Sequence, residues 1–134
     1  MSTRYLSILS NQSPFYIGVD ALNREMFSVN FRATLAAPSD KLELEIIKIL
    51  SNAGLCTLNT SIFVGKKVLP TGDGPYTYLR VYGGSEIEEM HSGEQYENPS
   101  FQIVVYAADY EVAKNKIYAI WRELDGQRNV TIAA

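Results

Sequence analysis

The segment from residue 99 to residue 126 constrains the fold more than any other part of the chain. Apolar residues in its first half alternate with their neighbours, as in a half-buried strand: Phe101, Ile103, Val105 and Ala107. Asp109 then offers an N-cap carboxylate, and Gly126 stands where a left-handed residue ends a helix. Between them, apolar residues recur at spacings of three and four: Tyr110, Ala113, Ile117, Ile120, Trp121 and Leu124. The segment therefore predicts a strand that leads directly into an amphipathic helix.

Periodicity predicts five further strands and one further helix. The strands span Tyr5–Leu9, Met26–Leu35, Ser61–Gly65, Thr77–Tyr82 and Val130–Ala133. The helix spans Lys41–Ala53 and ends at Gly54. Its N-cap is Ser39 or Asp40. These elements predict an α+β fold, in which a mostly antiparallel sheet carries two amphipathic helices on one face.

The strand Met26–Leu35 indicates what the two faces of this sheet do. Its apolar residues, from Phe27 to Leu35, alternate strictly with the polar residues Ser28, Asn30, Arg32 and Thr34. One face of the sheet is therefore expected to be buried, and the other to be wet or used for contacts.

Two segments between the predicted elements are irregular. Residues 68–75 contain two prolines and two glycines, which predicts turns. Residues 85–98 carry five glutamates and one histidine with no basic residue, and we predict a long loop there. Both exceed the usual connection of about 4–6 residues, and long loops are usually either functional or disordered.

Composition excludes several classes of protein. A chain of 134 residues is expected to form a single domain. Its net charge of -3 argues against a nucleic-acid-binding surface. The single cysteine excludes an internal disulfide framework and fits a reducing compartment. No apolar run approaches the roughly 20 residues of a membrane span, so we expect a protein of a cytoplasm with no membrane partner.

The residues that could carry chemistry are few. His91 lies near Glu88, Glu89 and Glu94 in sequence, so it is either part of a metal or acid–base site or a solvated loop residue. Flexible carboxylates around one imidazole lack the rigid spacing of a ligand set, which favours the solvated loop. No base in sequence stands beside Cys56. We therefore predict no enzyme activity, no metal and no cofactor.

The loop around Asp20 also has two interpretations. Asp20, Asn23 and Glu25 could offer oxygens to a cation. A loop that hydrogen-bonds its own backbone is the favoured interpretation.

Aromatic residues cluster on one predicted strand face. Alternation places Tyr78, Arg80 and Tyr82 on the same face, opposite Leu79. Tyrosines there either fill a wet sheet face with their hydroxyls at its edge or belong to a subunit interface, where Tyr and Arg are enriched. Residue spacing alone leaves both interpretations open.

The chain resembles the tail terminator (tail completion) proteins of long-tailed phages. The resemblance lies in the order helix, strand, strand, acidic segment, strand and helix, which here spans Lys41–Leu55, Thr60–Gly65, Tyr76–Gly84 and Pro99–Gly126. Members of this family commonly have, at their C-terminal end, a strand, a Ser-Pro-Phe loop and a last strand. The corresponding pieces are Tyr5–Leu9, a loop at Gln12–Asp20 and Met26–Phe31.

These last pieces come first in this chain, which suggests a circular permutation. Residues 1–35 resemble the C-terminal part of the family, residues 41–134 resemble its N-terminal part, and residues 36–40 form the join. The alternative is an unrelated N-terminal hairpin. Permutation predicts that the strand at residues 130–132 lies beside Tyr5–Leu9, with the two termini close together.

The resemblance implies a structural role in the virion tail, with assembly in the bacterial host cytoplasm. Such a protein forms a ring, hexameric in the family, that caps the tail tube, stops its polymerisation and meets the head connector, while DNA passes through the channel. Another head–tail connector protein is the alternative. Interface candidates are Phe15, Tyr16, Tyr78, Arg80 and Tyr82. Channel-lining candidates are Glu86, Glu88 and Glu89.

Overall fold

The computed structural model of the chain describes residues 6–36, 42–57, 61–64, 71–82, 88–89, 95–97 and 100–126. Its elements, in chain order, are β1 (Leu6–Ser10), β2 (Phe15–Val19), β3 (Glu25–Ala36), α1 (Leu42–Asn52), β4 (Ile62–Val64), β5 (Tyr76–Tyr82), β6 (Glu88–Glu89), β7 (Gln95–Glu97), β8 (Ser100–Ala107) and α2 (Tyr110–Leu124). The predicted α+β class is confirmed. Neither helix among the described residues is long and apolar enough to cross a membrane.

The long strand β3 lies at the centre of one mixed sheet. It pairs with β8 from Glu25↔Ala107 to Arg32↔Ser100, and β8 pairs in turn with β5. All pairings are antiparallel except that of β4 with β5. The sheet is therefore mostly antiparallel, as predicted.

β1 and β2 follow one another along the other edge of β3. β1 pairs from Leu6↔Leu35 to Ser10↔Phe31, and β2 then pairs from Phe15↔Ser28 to Val19↔Glu25, with a register shift between Tyr16 and Gly18. The prediction of a loop at residues 12–20 is wrong for β2. Burial in β2 does not alternate, since four of its five residues are exposed, so the strand lacks the period-2 signal.

The predicted loop at residues 85–98 is also wrong in part. β6 and β7 pair as antiparallel strands, and β7 pairs with β3 at Leu35↔Glu97 and Ala36↔Tyr96. β6 and β7 thus extend the β5–β8 ladder past Tyr82↔Ser100. We call these two strands the β6–β7 hairpin. Its glutamates have low strand propensity, so the pairing is not visible in the composition.

Both helices pack on one face of the sheet, where the core lies. Phe31 of β3 stacks on Phe101 of β8 with ring centroids 4.9 Å apart. The core-facing residues of α2 are fully buried: Ala113, Ile117, Ile120 and Leu124. Tyr110 departs from the predicted stripe, because it lies at the sheet margin with 43% of its surface exposed.

The ends of α2 are fixed as the sequence predicted. The Asp109 carboxylate accepts a hydrogen bond from the Glu111 N–H at 2.8 Å, and Gly126 has a φ of 84°. The Gly126 N–H then donates to the Ile8 carbonyl at 2.9 Å. Asp125 accepts hydrogen bonds from both the backbone N–H and the hydroxyl of Ser10. The end of α2 is thereby attached to β1.

Several sequence predictions fall outside the described residues. They are the strand at residues 130–133, the join at residues 37–40 with the N-cap of α1, the turn residues 68–70, His91, and Glu86. The contact between Gly126 and Ile8 brings α2 to β1, but the termini beyond them are not described. Circular permutation therefore stays a prediction.

Candidate functional site: the outer face of the sheet

The sheet face that points away from α1 and α2 carries most of the residues predicted to form an interface. We call it the outer face and define it by eleven residues: Phe15, Ser28, Asn30, Arg32, Tyr78, Arg80, Tyr82, Ser100, Gln102, Val104 and Tyr106. These positions alternate along their strands with core positions. The register places Phe15, Ser28, Val104 and Tyr78 in one row across β2, β3, β8 and β5.

The centre of the outer face is more enclosed than the sequence predicted. Ser28, expected on a wet face, has no exposed surface, and Val104 is 6% exposed. These small side chains lie between larger neighbours, including Phe15 and Tyr78 in the same row. The result is a tightly packed floor with aromatic residues on both sides.

Hydrogen bonds fix the polar side chains of the outer face across its strands. Gln102 donates from Nε2 to the Ser28 hydroxyl at 2.9 Å. Tyr82 donates its hydroxyl proton to Asn30 Oδ1 at 3.1 Å, across the intervening strand β8. The Arg80 guanidinium lies 5.6 Å from the centroid of the Tyr82 ring. These groups are ordered before any partner arrives, which lowers the entropic cost of binding one.

Charge on the outer face is positive. Arg32 and Arg80 are both exposed, and none of the eleven residues is acidic. Among the residues that the structure describes, neither arginine has a carboxylate partner; the ion pair found there joins Arg24 to Asp20. A chain of net charge -3 thus presents a basic and aromatic surface on one side.

A buried ion pair closes the end of the outer face at Tyr106. Arg24, 6% exposed, donates from Nε to Asp20 Oδ2 at 2.8 Å and places its guanidinium against the rings of Tyr76 and Tyr106, at 5.8 and 5.5 Å. Asp20 also accepts from the backbone N–H groups of Leu22 and Arg24. The favoured interpretation of this loop, bonding to its own backbone, is confirmed.

The same contacts shift the pKa values of Asp20 and Tyr106. Burial favours the neutral acid, but the hydrogen bonds from Arg24 and Leu22 and the charge of Arg24 outweigh it, so the pKa of Asp20 is lowered. Burial, followed by the negative charge of Asp20, raises the pKa of Tyr106. Asp20 is therefore ionised at neutral pH and is fully engaged within the fold.

Tyr16 does not share a face with the other four interface candidates. Strand alternation turns it to the helix side, where its ring lies 5.3 Å from that of Phe27 and 5.5 Å from that of Tyr110. Its hydroxyl donates to Glu25 at 2.5 Å, and this hydrogen bond raises the pKa of Tyr16. Phe15 and Tyr16 therefore contribute to different surfaces.

Chemical sites are not found in the described part of the chain. No group of three His, Cys, Asp or Glu side chains there is placed to hold a metal ion. Cys56 is buried, and burial raises the pKa of its thiol despite the charge of Lys116 and a hydrogen bond with Thr77. Glu88 and Glu89 form β6, whereas the prediction for His91 stays untested.

Comparison with known proteins identifies the family. A family model described as bacteriophage tail terminator protein matches residues 49–134, which is more than half of the chain. The chain belongs to the bacteriophage tail terminator family. It is therefore a structural component of a phage tail, and the family is not an enzymatic one. Searches of curated proteins and of solved structures gave no match.

Sequence reasoning found only part of the outer face. It identified Tyr78, Arg80 and Tyr82 from alternation within one strand. It missed Arg32, Asn30 and Gln102, which the pairing of β3 with β8 brings alongside them. The polar positions of β3 had signalled a non-core face, but the register between distant strands was not available from sequence.

Proposed function

We propose that this terminator assembles into a closed ring of identical subunits, six as in the family resemblance, that caps the tail tube. The outer face is the observation that carries the proposal. It combines exposed Phe15 and Tyr82 with Arg32 and Arg80 on a rigid, hydrogen-bonded sheet. Aromatic residues and arginine are the residue types that contribute most to subunit interfaces.

Ring closure requires a contact between two different surfaces. A surface that binds its own copy produces a closed pair, whereas a head-to-tail contact repeated about an axis produces a ring. The outer face is basic, while the chain as a whole is acidic, so it complements other surfaces of the subunit better than itself.

The finished ring would act by shape and charge rather than by catalysis. One side of the ring binds the last ring of tube protein and stops polymerisation, and the other side meets the head connector. DNA passes through the channel without binding, which an acidic subunit favours because phosphates are repelled. Glu86, Glu88 and Glu89 as channel-lining residues stay a prediction.

The proposal is tested by negative-stain electron microscopy and solution mass of the purified protein. Closed rings of about six copies are expected, and addition of the protein to polymerising tube protein from the same phage should shorten the tubes. A monomer at every concentration that also leaves tube length unchanged would refute the proposal.

A matched pair of variants locates the interface. Phe15 and Val112 are similarly exposed, at 36% and 41%, but Val112 lies on α2 on the other side of the sheet. We expect Phe15→Ser to weaken assembly about tenfold or more and Val112→Ser to leave it unchanged. The reverse result would place the subunit contact on the helix side.

A further inference from the structure

We infer that an aromatic corner on the helix side of one subunit binds the arginine end of the outer face of the next subunit. The aromatic corner is defined by four residues where β2, β3 and the start of α2 meet: Tyr16, Val19, Glu25 and Tyr110. The arginine end is defined by three residues of the outer face: Arg32, Arg80 and Tyr82. The inference rests on the proposed ring and names the contact between neighbouring subunits that would form it.

The aromatic corner exposes large apolar side chains that are nevertheless held in place. Tyr16, Val19 and Tyr110 are 45%, 49% and 43% exposed. The two tyrosine rings lie 5.5 Å apart, and both pack on the buried ring of Phe27, at 5.3 and 5.0 Å. The hydrogen bond from the Tyr16 hydroxyl to Glu25 further fixes this arrangement. A contiguous, ordered apolar patch of this kind is typical of a protein-binding surface.

The charge around the aromatic corner is negative. Glu25 pairs directly with Val19 across β2 and β3, so the two side chains share a face. The exposed Asp109 and Glu111 flank Tyr110 along the chain. These three carboxylates outnumber the base that follows one turn later on α2, which is Lys114. The corner therefore suits a partner surface that is basic as well as aromatic.

The arginine end has that chemistry. Arg32 and Arg80 are both exposed, and in the part of the chain that the structure describes neither forms an ion pair with a carboxylate. The Arg80 guanidinium lies 5.6 Å from the centroid of the Tyr82 ring, and Tyr82 is 37% exposed. Arginine binds carboxylates and stacks on aromatic rings, and the aromatic corner offers both groups. The two surfaces are thus complementary in charge and in residue type.

Within one subunit these two surfaces cannot meet. The aromatic corner lies on the helix side of the sheet and the arginine end lies on the outer face, so the sheet stands between them. They also lie at opposite ends of β8, since Glu25 pairs with Ala107 whereas Arg32 pairs with Ser100. Along the strand this separation is about 24 Å. An aromatic corner that binds the arginine end therefore belongs to a second copy.

Such a contact is head-to-tail, because the aromatic corner and the arginine end are different surfaces. Every subunit then offers one of each, which is the arrangement that can close a ring. The charges also select against stacking of one outer face on another, since that would bring arginines together. Val112 takes no part in the contact, because it lies about 200° around α2 from Tyr110.

Charge reversal and exchange test the contact directly. Reversal of the arginine end, in Arg32→Glu/Arg80→Glu, should weaken assembly roughly a hundredfold, because attraction becomes repulsion. Reversal of the corner, in Glu25→Lys/Glu111→Lys, should have the same effect. A chain carrying all four substitutions restores the charge complementarity and should assemble within about tenfold of the wild type. Lys48→Glu is the matched control, since Lys48 is an exposed base on α1 outside both surfaces, and its assembly should be unchanged.

Cysteine trapping locates the contact with substitutions that leave the charges unchanged. Two differently tagged chains, one Val19→Cys and one Tyr82→Cys, should form a mixed disulfide on mild oxidation. The matched control replaces Val19→Cys by Val112→Cys, since the two valines are similarly exposed, at 49% and 41%. We expect about tenfold more mixed disulfide from Val19→Cys than from the control, because the contact raises the local concentration of the two thiols. The native Cys56 is buried and is the same background in every sample.

The outcomes separate this contact from the ring itself. Charge-reversal variants that form rings as the wild type does, with equal trapping from Val19→Cys and Val112→Cys, would overturn the contact and leave the ring intact. Selective trapping in open chains instead of rings would support the contact and refute ring closure. A disulfide that joins two Val19→Cys chains in preference to the mixed one would overturn the contact, because the corner would then bind its own copy. Trapping of the corner by added tube protein alone would also overturn it, and assign the corner to the tube.

Discussion

Replacement of Arg24 by methionine should destabilise the protein strongly, although Arg24 is not part of the hydrophobic core. Its side chain is 7% exposed, and its ion pair with Asp20 spans 2.8 Å. Nη1 also lies 3.4 Å from the Gly72 carbonyl, which links the β2–β3 turn to the segment before β5. Methionine fills a similar length but removes the charge and every side-chain hydrogen bond, while the backbone N–H of residue 24 still donates to Asp20.

The magnitude follows from what the substitution leaves behind. Removal of one partner from a buried ion pair costs about 3–5 kcal/mol, because the other charge stays desolvated. The Asp20 side chain retains 15% exposure, which reduces its isolation and favours the lower end of that range. A loss of about 3 kcal/mol corresponds to a fall in Tm of roughly 10–15 °C for a domain of this size.

Thermal unfolding followed by circular dichroism measures this effect, with Arg32→Met as the matched control. Arg32 is an exposed arginine on the same sheet, and its loss should change the free energy of unfolding by less than about 0.5 kcal/mol. The double variant Asp20→Asn/Arg24→Met should recover part of the loss, because no buried charge remains unpaired. If Arg24→Met melts within about 3 °C of the wild type, the ion pair contributes no more than a surface pair, and the reasoning fails.

Three shorter predictions concern pH, backbone and thiol chemistry. The pKa of Asp20 is lower in the folded state than its unfolded value of about 3.9. The ionised carboxylate therefore stabilises the fold above that pH, and this stabilisation is lost as the pH falls through the folded pKa. Acid unfolding of Asp20→Asn should lack this loss of stability. Gly74→Ala should lower the urea midpoint more than Gly54→Ala: both glycines have positive φ, but only at Gly74 does an added Cβ meet a backbone oxygen, that of Tyr106, at 2.5 Å. Cys56 should react with a thiol reagent at pH 8 on the order of 100-fold more slowly in the folded protein than in urea, and equal rates would contradict its burial.

The local sequence pattern was sufficient to predict elements that depend on neighbouring residues, such as the strand β8 and the start of α2. The strand at Phe101–Ala107 was placed within one residue of its observed start at Ser100, because its core positions alternate without interruption. The N-cap at Asp109 was correct for the same reason, since a cap depends on residues within one turn.

Elements defined by long-range pairing were missed. β2 is stabilised by its hydrogen bonds to β3, and the bulge near Gly18, with a φ of 111°, interrupts its alternation. The β6–β7 hairpin is held by its neighbours in the same way. At the site, Tyr82 and Asn30 are 52 positions apart, and Gln102 and Ser28 are 74 apart. No periodicity within a short window reports such pairs.

The central strand raises a question about the family as a whole. The family match begins at residue 49, yet β3 lies before it and supplies core residues such as Phe31, whose ring stacks on Phe101. Without β3, β8 would become a sheet edge and the face of α2 would lose its main partner. Circular permutation, which stays a prediction, would place the corresponding strand of a relative beyond its counterpart of α2.

Reopening the chain tests this explanation. A variant that starts at Lys41, continues through Ala134 into Met1 and ends at Ala36 keeps every element that the structure describes, and the hydrogen bond from Gly126 to Ile8 places those two residues close together. We expect it to give the same circular dichroism spectrum and a Tm within about 10 °C of the parent, since connections in surface loops tolerate such changes. An unfolded product would show that the order of elements in this chain is required for its fold, and would favour an independent origin for residues 1–35.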